Sequence, residues 1–411
     1  MSFSMRLLPV LLLLAPLAGS HPGGEGEARP LRVFVLAGQS NMQGHAQLRT
    51  LEAMGLDPSV KELHGRLVDE DGAPRVFNDV RVSAIGSSDG EKTGALTVGF
   101  GPERGGPKLG PELAFGATMG HHLGEPILII KTAWGGKSLH TDFRSPSAGP
   151  SPFPADRIAN ARKKGEDLDA LRAAHAEATG HYYRLMIEHV RAVMEDPGRV
   201  HPAFSKRRGA ELAGFVWFQG WNDMVDGGVY PERGKPGGYD AYSECMAHFI
   251  RDVRKDLDAP DLPFVIGVLG VGGPVAEYAP DQKRYVGVHQ NFRDAMAAPA
   301  ARPEFVGNVT AVLTERCWDQ QLTALRRREG ALRTEFKKID ERRKSGELTG
   351  AEAKAARQTL REETFTAGEL QLLDTGVSNA EYHYLGSAKI LSRIGEEFAT
   401  SMVELIGEES R

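Results

Sequence analysis

Four short blocks of this sequence carry the groups that acyl transfer requires. Gly38-Gln39-Ser40-Asn41-Met42 presents a hydroxyl directly after an apolar run. A serine hydroxyl is a weak nucleophile until a base takes its proton. Of the 13 histidines, His383 in Glu381-Tyr382-His383-Tyr384 is the one that stands in such a block, and it is the candidate base. Attack on a carbonyl creates an oxyanion, which needs positioned donors. The candidates are the Ser40 backbone N–H, a glycine N–H from Trp134-Gly135-Gly136-Lys137-Ser138, and the Asn222 amide in Gln219-Gly220-Trp221-Asn222-Asp223. Glycine at 135 and 136 lets backbone approach a substrate closely. Gln39, Asn41 and Gln219 are candidates to line the pocket and touch substrate. Each residue also has a plain structural reading. Ser40 suits a helix N-cap, Asn222 a turn, Gly135-Gly136 a tight bend, and His383 a packed interior.

These blocks need a scaffold that brings them together. Apolar runs at 31–37, 126–133, 214–218, 264–269 and 309–313 have the length and character of buried strands. Helical patterns fill the gaps at 111–123, at 155–194 with breaks near Gly165 and Gly180, and at 239–257; a last helix covers about 386–406. Apolar strands separated by helices predict a parallel sheet with helices on both faces. Ligands of such sheets bind at the carboxyl ends of the strands. Three of the four blocks directly follow a predicted strand, and the fourth directly precedes the last helix.

The four blocks in this order resemble those of the SGNH (GDSL-type) hydrolase superfamily. The Gly-Gln-Ser-Asn-Met form is similar to that of the sialate O-acetylesterase domain and of carbohydrate esterase family six, which includes acetylxylan esterases. The resemblance implies a flavodoxin-like three-layer α/β/α fold with a five-stranded parallel sheet. It also implies deacetylation through a covalent acyl-enzyme, without a metal or other cofactor. Two positions depart from the pattern. The superfamily places an Asp three residues before the His, where this chain has Ala380, and the carbohydrate relatives often read Gln-Gly-Glu, where it has Gln219-Gly220-Trp221. A basic imidazole needs an acceptor on its other nitrogen. Glu381 is the expected acceptor if the loop before the last helix is extended; Asp374, a backbone carbonyl or a bare Ser40–His383 dyad are the alternatives.

The rest of the chain bounds the function. Arg6, the Leu-rich run 7–17 and the small residues Ala18-Gly19-Ser20 have the form of a signal peptide over 1–20, followed by a Gly-, Pro- and Glu-rich linker over 21–30. The run is too short for a stable membrane anchor. The expected location is therefore secreted or periplasmic, with one hydrolase domain over 31–408. The net charge of −5 gives no reason to expect a nucleic-acid partner. Two cysteines, Cys245 and Cys317, exclude a disulfide framework, and no metal-ligand spacing such as His-Glu-x-x-His occurs. Residues 319–364 are dense in charge, with an apolar stripe at Leu322, Leu325, Leu332, Phe336 and Ile339 and a break at 345–350. They predict an antiparallel helical hairpin inserted before the His383 loop. Its basic face is open to two readings, a solvated surface or a contact with an anionic polysaccharide. The expected function is removal of O-acetyl groups from an acetylated carbohydrate. The alternatives are a glycan-binding protein of the same fold with impaired catalysis, and a lipid-ester or thioester hydrolase.

Overall fold

The computed structural model describes residues 29–86, 90–153 and 155–407. The predicted signal peptide, the linker up to 28 and the last predicted domain residue, 408, lie outside the described residues. Among the described residues there are nine strands: β1 Leu31–Gly38, β2 Ala46–Gln47, β3 Phe77–Ile85, β4 Lys92–Leu96, β5 Lys108–Leu109, β6 Ile127–Ala133, β7 Ala210–Phe218, β8 Phe264–Val268 and β9 Val309–Leu313. Seven of them form one sheet in the order β4-β3-β6-β1-β7-β8-β9, and β2 pairs with β5 separately. β1 lies in the middle, parallel to β6 and β7, with all eight of its residues buried. Burial on both faces is why these central strands are continuous apolar runs rather than alternating ones.

Strand neighbours show how the two faces are covered. Trp217 and Phe218 are successive residues of β7 and so point to opposite faces. Phe218 packs on Phe398 of the helix Ala388–Ile406, and Trp217 packs on Phe249 of the helix Asp240–Asp256. Helix Ala388–Ile406 also lies against Pro111–Leu123, and Phe115 of the latter meets Phe34 of β1. This is a three-layer α/β/α arrangement. Between Ala155 and Glu195 the helix breaks into three pieces, Ala155–Lys164, Leu168–Ala178 and His181–Glu195, with Gly165 and Gly180 both left-handed at the interruptions.

The sheet has seven strands, not the five expected. β3 continues it parallel to β6, and β4 closes that edge antiparallel to β3. Both escape a reading by apolar runs. β3 opens on Phe77-Asn78-Asp79, and only Val80, Val82, Ser83 and Ala84 of its nine residues are buried; β4 is Lys-Thr-Gly-Ala-Leu at the exposed margin.

The charged segment also differs from a simple hairpin over 319–364. Four helices occur, Gln320–Ala331, Arg333–Lys344, Gly350–Thr364 and Ala367–Gly376. The middle two form the antiparallel pair, tied by Arg357 to Asp340. The outer two form its stem: Leu325, Phe365 and Leu373 share a small core, and Leu322 enters the main one. The insertion is thus rooted in the domain, because its apolar stripe splits between a buried stem and a solvated tip. Cys245 and Cys317 are both buried free thiols.

Candidate active site

The nucleophile block sits where β1 leaves the sheet. At Gly38 a β-carbon would lie 2.2 Å from the Phe218 carbonyl oxygen, so only glycine lets β1 end this close to β7. The chain then turns into a single helical turn, Ser40–Gln43. That turn is held from beneath. Lys131 of β6 donates from Nζ to the carbonyl oxygens of Gln43 (2.8 Å) and Phe100 (3.0 Å) and to Glu112 Oε2 (2.8 Å). The Lys131–Glu112 pair is fully buried, and burial pulls the lysine pKa below its ordinary value. A buried charge must be paired and hydrogen-bonded to be tolerated, and here all three of its donors are used. Ser40 itself is 6% exposed, and its hydroxyl makes no hydrogen bond with another described residue. Such contacts in a substrate-free site commonly tighten only when substrate binds.

The oxyanion candidates converge on Ser40. A β-carbon at Gly135 would stand 4.0 Å from Ser40 Cβ, so the Gly135-Gly136 turn lies directly against the nucleophile. Asp223, buried in the helical turn Trp221–Val225 that follows β7, holds the backbone just beyond that turn. It accepts from the backbone N–H groups of Leu139 (2.8 Å) and His140 (3.0 Å), from Gln219 Nε2 (2.6 Å) and from the Tyr230 hydroxyl (3.1 Å). Desolvation pushes its pKa up to about 6 against those four bonds. Gln39 Oε1 accepts from Gln219 Nε2 (3.0 Å) and from the backbone of Gly220 (3.2 Å) and Asn222 (3.5 Å). One glutamine thereby ties the end of β1 to the end of β7 and sets the backbone from which the Asn222 amide projects.

This corrects the role expected of Gln39, Asn41 and Gln219. They are 1%, 3% and 1% exposed and do not line the cleft. Gln39 Oε1 and Gln219 Nε2 bond each other and the loops around them, as buried polar groups usually do. Gln39 Nε2 and the Asn41 amide are buried without a hydrogen-bond partner among the described residues.

The candidate base, His383, is oriented by a residue not singled out in the sequence. The Nδ1 of His383 lies 3.0 Å from Asn379 Oδ1. That oxygen also accepts the Ala380 N–H at 2.8 Å, which identifies it as the acceptor end of the amide. His383 Nδ1 is therefore the donor, and Nε2 keeps its lone pair. Glu381 does not fill this place. The loop is not extended: the His383 N–H bonds back to the Ala380 carbonyl, and the segment Glu381–Gly386 coils into a tight turn. A residue two positions away then projects elsewhere, while the one four positions away faces the ring. Glu381 is exposed and lines a neighbouring cavity, and Asp374 is engaged with Arg361.

The turn is strained but anchored. Tyr384 and Leu385 both have positive φ, 52° and 60°. Non-glycine residues hold such angles only where their surroundings over-determine them. Tyr384 is fully buried, and its hydroxyl oxygen is held by the Gly270 N–H at 2.8 Å and by Thr314 at 2.7 Å. His45 stacks flat on His383, with ring centroids 4.0 Å apart and planes 2° from parallel. Burial lowers the His383 pKa to about 4; burial, then the neighbouring His383, Lys108 and Lys131, lowers that of His45 to about 3. Both rings are neutral near pH 7, so His383 is free to accept a proton.

Ser40, His45, Gly135, Gly136, Asn222, Asn379 and His383 all line one cleft of about 590 Å³ at the carboxyl ends of the strands. A larger cavity, about 1010 Å³, lies at the amino ends of β3 and β6 and contains none of them. The structure thus gathers Ser40, Gly135, Gly136, Asn222 and His383, leaves Glu381 outside, and adds Asn379 and His45. No periodicity or block pointed to His45. For Asn379 the one available signal was a side-chain acceptor a single turn before the histidine.

Residues 30–303 match the family model described as carbohydrate esterase, sialic acid-specific acetylesterase, about two thirds of the chain. Asn379 and His383 lie beyond the matched residues. No curated protein matches. Among solved structures, a protein from Arabidopsis thaliana is 17% identical, with a TM-score of 0.37, over 69% of this chain and 86% of its own. A carbohydrate acetylesterase from Xanthomonas citri is 15% identical, also with a TM-score of 0.37, over 70% of this chain and 51% of its own.

Proposed function

We propose that this chain, which belongs to the carbohydrate esterase, sialic acid-specific acetylesterase family, removes O-acetyl groups from carbohydrate through an acyl-enzyme on Ser40. The observation that carries the reading is the shared cleft. Ser40, the Gly135-Gly136 turn, Asn222 and a neutral His383 with its Nδ1 already occupied border one space. In the reaction, His383 Nε2 takes the Ser40 proton as Oγ bonds to the acetyl carbon. The carbonyl oxygen becomes an oxyanion facing the Ser40 N–H, a glycine N–H of the 135–136 turn and the Asn222 amide. His383 then gives its proton to the departing sugar oxygen, leaving acetyl-Ser40. Water, deprotonated by the same nitrogen, releases acetate and restores the serine.

The cleft is lined mainly by polar side chains, glycines and the rings of Trp221 and Tyr382, with no Leu, Ile, Val or Met, which favours a short acyl group over a long lipid chain. An impaired, merely glycan-binding chain was suggested by the missing carboxylate near His383, and Asn379 supplies an acceptor in its place. Export is part of the proposal, on the strength of the sequence 1–20 alone. The test is acetate release from p-nitrophenyl acetate and acetylated carbohydrates, beside longer-chain p-nitrophenyl esters. Turnover confined to short acyl groups, lost in Ser40→Ala with the fold retained, is expected. Activity persisting in Ser40→Ala, or a preference for long chains, would reject the reading.

A further inference from the structure

A second cavity of about 860 Å³ adjoins the cleft, and Trp221 and Tyr382 line both. Their rings, 5.6 Å apart, form the partition between the two. The cavity beyond it is strongly cationic. Arg233, Arg284, Arg326, Arg327 and Arg333 line it, against the carboxylates of Asp281 and Glu381. The cleft on the Ser40 side adds Arg104 and Lys108 and no carboxylate. The protein as a whole carries a net charge of −5, so this concentration of positive charge is local.

The pairing of these arginines argues against an idle solvated surface. On the outer hairpin, Lys337, Lys338, Arg342 and Arg357 pair with carboxylates, while Arg343, Lys344 and Lys354 do not pair among the described residues. Of the five cavity arginines, Arg326 alone pairs among the described residues, at 3.7 Å from Glu329. Arg327 bonds the neutral Gln282 amide, Arg284 lies over the Tyr285 ring, and Arg233 donates to backbone carbonyls. Five guanidinium groups thus share the cavity with two carboxylates. Arg326, Arg327 and Arg333 come from the inserted helices, beyond residue 303 where the family match ends.

Resting on the esterase reading, we propose that this cavity is a subsite for an anionic sugar residue next to the acetylated one, its charge a carboxylate or a sulfate. The volume suits one or two sugar rings. The aromatic partition separates the bound ring from the ester at Ser40, so the charge belongs to a neighbouring residue of the glycan. Guanidinium groups suit both anions, through paired N–H donors.

The experiment compares kcat/KM on matched acetylated oligosaccharides that are neutral, uronate-bearing or sulfate-bearing. The wild type is expected to favour at least one anionic substrate by roughly tenfold, through KM. That ratio should collapse toward one in Arg327→Ala/Arg333→Ala and in about 0.5 M sodium chloride. It should persist in Lys337→Ala/Lys338→Ala, on the outer hairpin. Preference for one anion identifies the charge. A ratio of one in the wild type, or a ratio unchanged in the arginine variant, overturns the subsite. If no acetate is released from any substrate, the esterase reading fails instead. Calorimetry of the uronate-bearing and sulfate-bearing oligosaccharides against the neutral one then decides the subsite, with equal affinities for all three rejecting it.

Discussion

Asn379 is the place where charge can be added to the site by a single atom. In the native protein burial lowers the His383 pKa to about 4, and the residue on Nδ1 is a neutral amide. Asn379→Asp puts a negative charge at the same 3.0 Å contact, and the Ala380 N–H remains to hold the new carboxylate in place. With charge centres about 4 Å apart and an effective dielectric near 20, the attraction is about 4 kcal/mol. His383 opens on the cleft, so roughly half of that survives solvent screening, or about 1.5 pKa units. The acid limb of kcat/KM should move from near pH 4 toward roughly 5.5, and the plateau should rise because the imidazolium of the transition state is stabilised. Asn379→Ala should act in the opposite sense. It removes a hydrogen bond to a group that becomes charged, about 1.5–3 kcal/mol, and so lowers kcat roughly 10- to 150-fold. The assay is the pH profile of p-nitrophenyl acetate hydrolysis for the three proteins. An acid limb unmoved in Asn379→Asp, or a plateau kcat within about twofold of wild type in Asn379→Ala, would refute the assignment of Asn379 as the orienting residue.

Three further outcomes follow from the geometry. Asn222→Ala should lower kcat by roughly 10² to 10³ with little change in KM, because the donor acts on charge that develops during reaction; an unchanged kcat returns Asn222 to a turn residue. Replacing 341–356, the hairpin tip beyond the Asp340–Arg357 pair, with a short Gly/Ser loop should change stability by less than about 1 kcal/mol and leave acetate release intact, as denaturant unfolding and the ester assay would register. Stability itself should fall as pH drops from about 6.5 toward 3. His45, His140, His289 and His383 have folded pKa values of about 3, 4, 4 and 4, all below the 6.5 of an open chain, so the unfolded state binds more protons across that window. Asp223, raised to about 6, works in the other direction above pH 3.8 but is one group against four. A urea midpoint that stays level between pH 7 and pH 4 would contradict this.

Strands β6, β1, β7 and β8 were legible because burial on both faces leaves a strand few polar positions, and β9, a partly buried edge strand, still carries an apolar run. The opposite edge, β3 and β4, was not legible. β3 is half exposed and begins with Asn78 and Asp79, so its pattern is shared with many loops. Its place in the sheet follows from pairing with β6, a tertiary fact that no local window contains. The insertion shows the same division. A stripe of leucines announced helices, but Leu322 and Leu325 are buried while Phe336 and Ile339 lie on the solvated pair, and the stripe is the same in both cases.

Within the site, the residues that sequence placed best are those that stand just past a strand end. Ser40, Gly135 and Asn222 each follow directly from a strand end, and the strand delivers them to the cleft. Roles that depend on side-chain direction were read less well. Gln39 and Gln219 stand beside Ser40 and Asn222 in sequence and carry sugar-binding amides, yet both turn inward and bond each other across 180 residues. Their bonds lock the ends of β1 and β7 together, which a site assembled from two strand ends requires. The histidine partner was misplaced for a related reason. Glu381 was favoured for its charge and its nearness in sequence, but the turn that carries His383 is set by Tyr384, buried against Gly270 and Thr314 from two other strand ends. Once that anchor coils the loop, the position four residues back faces the imidazole, and it holds an asparagine. The site therefore keeps the orienting bond and dispenses with the carboxylate's charge, so nothing there opposes the burial that lowers the His383 pKa to about 4.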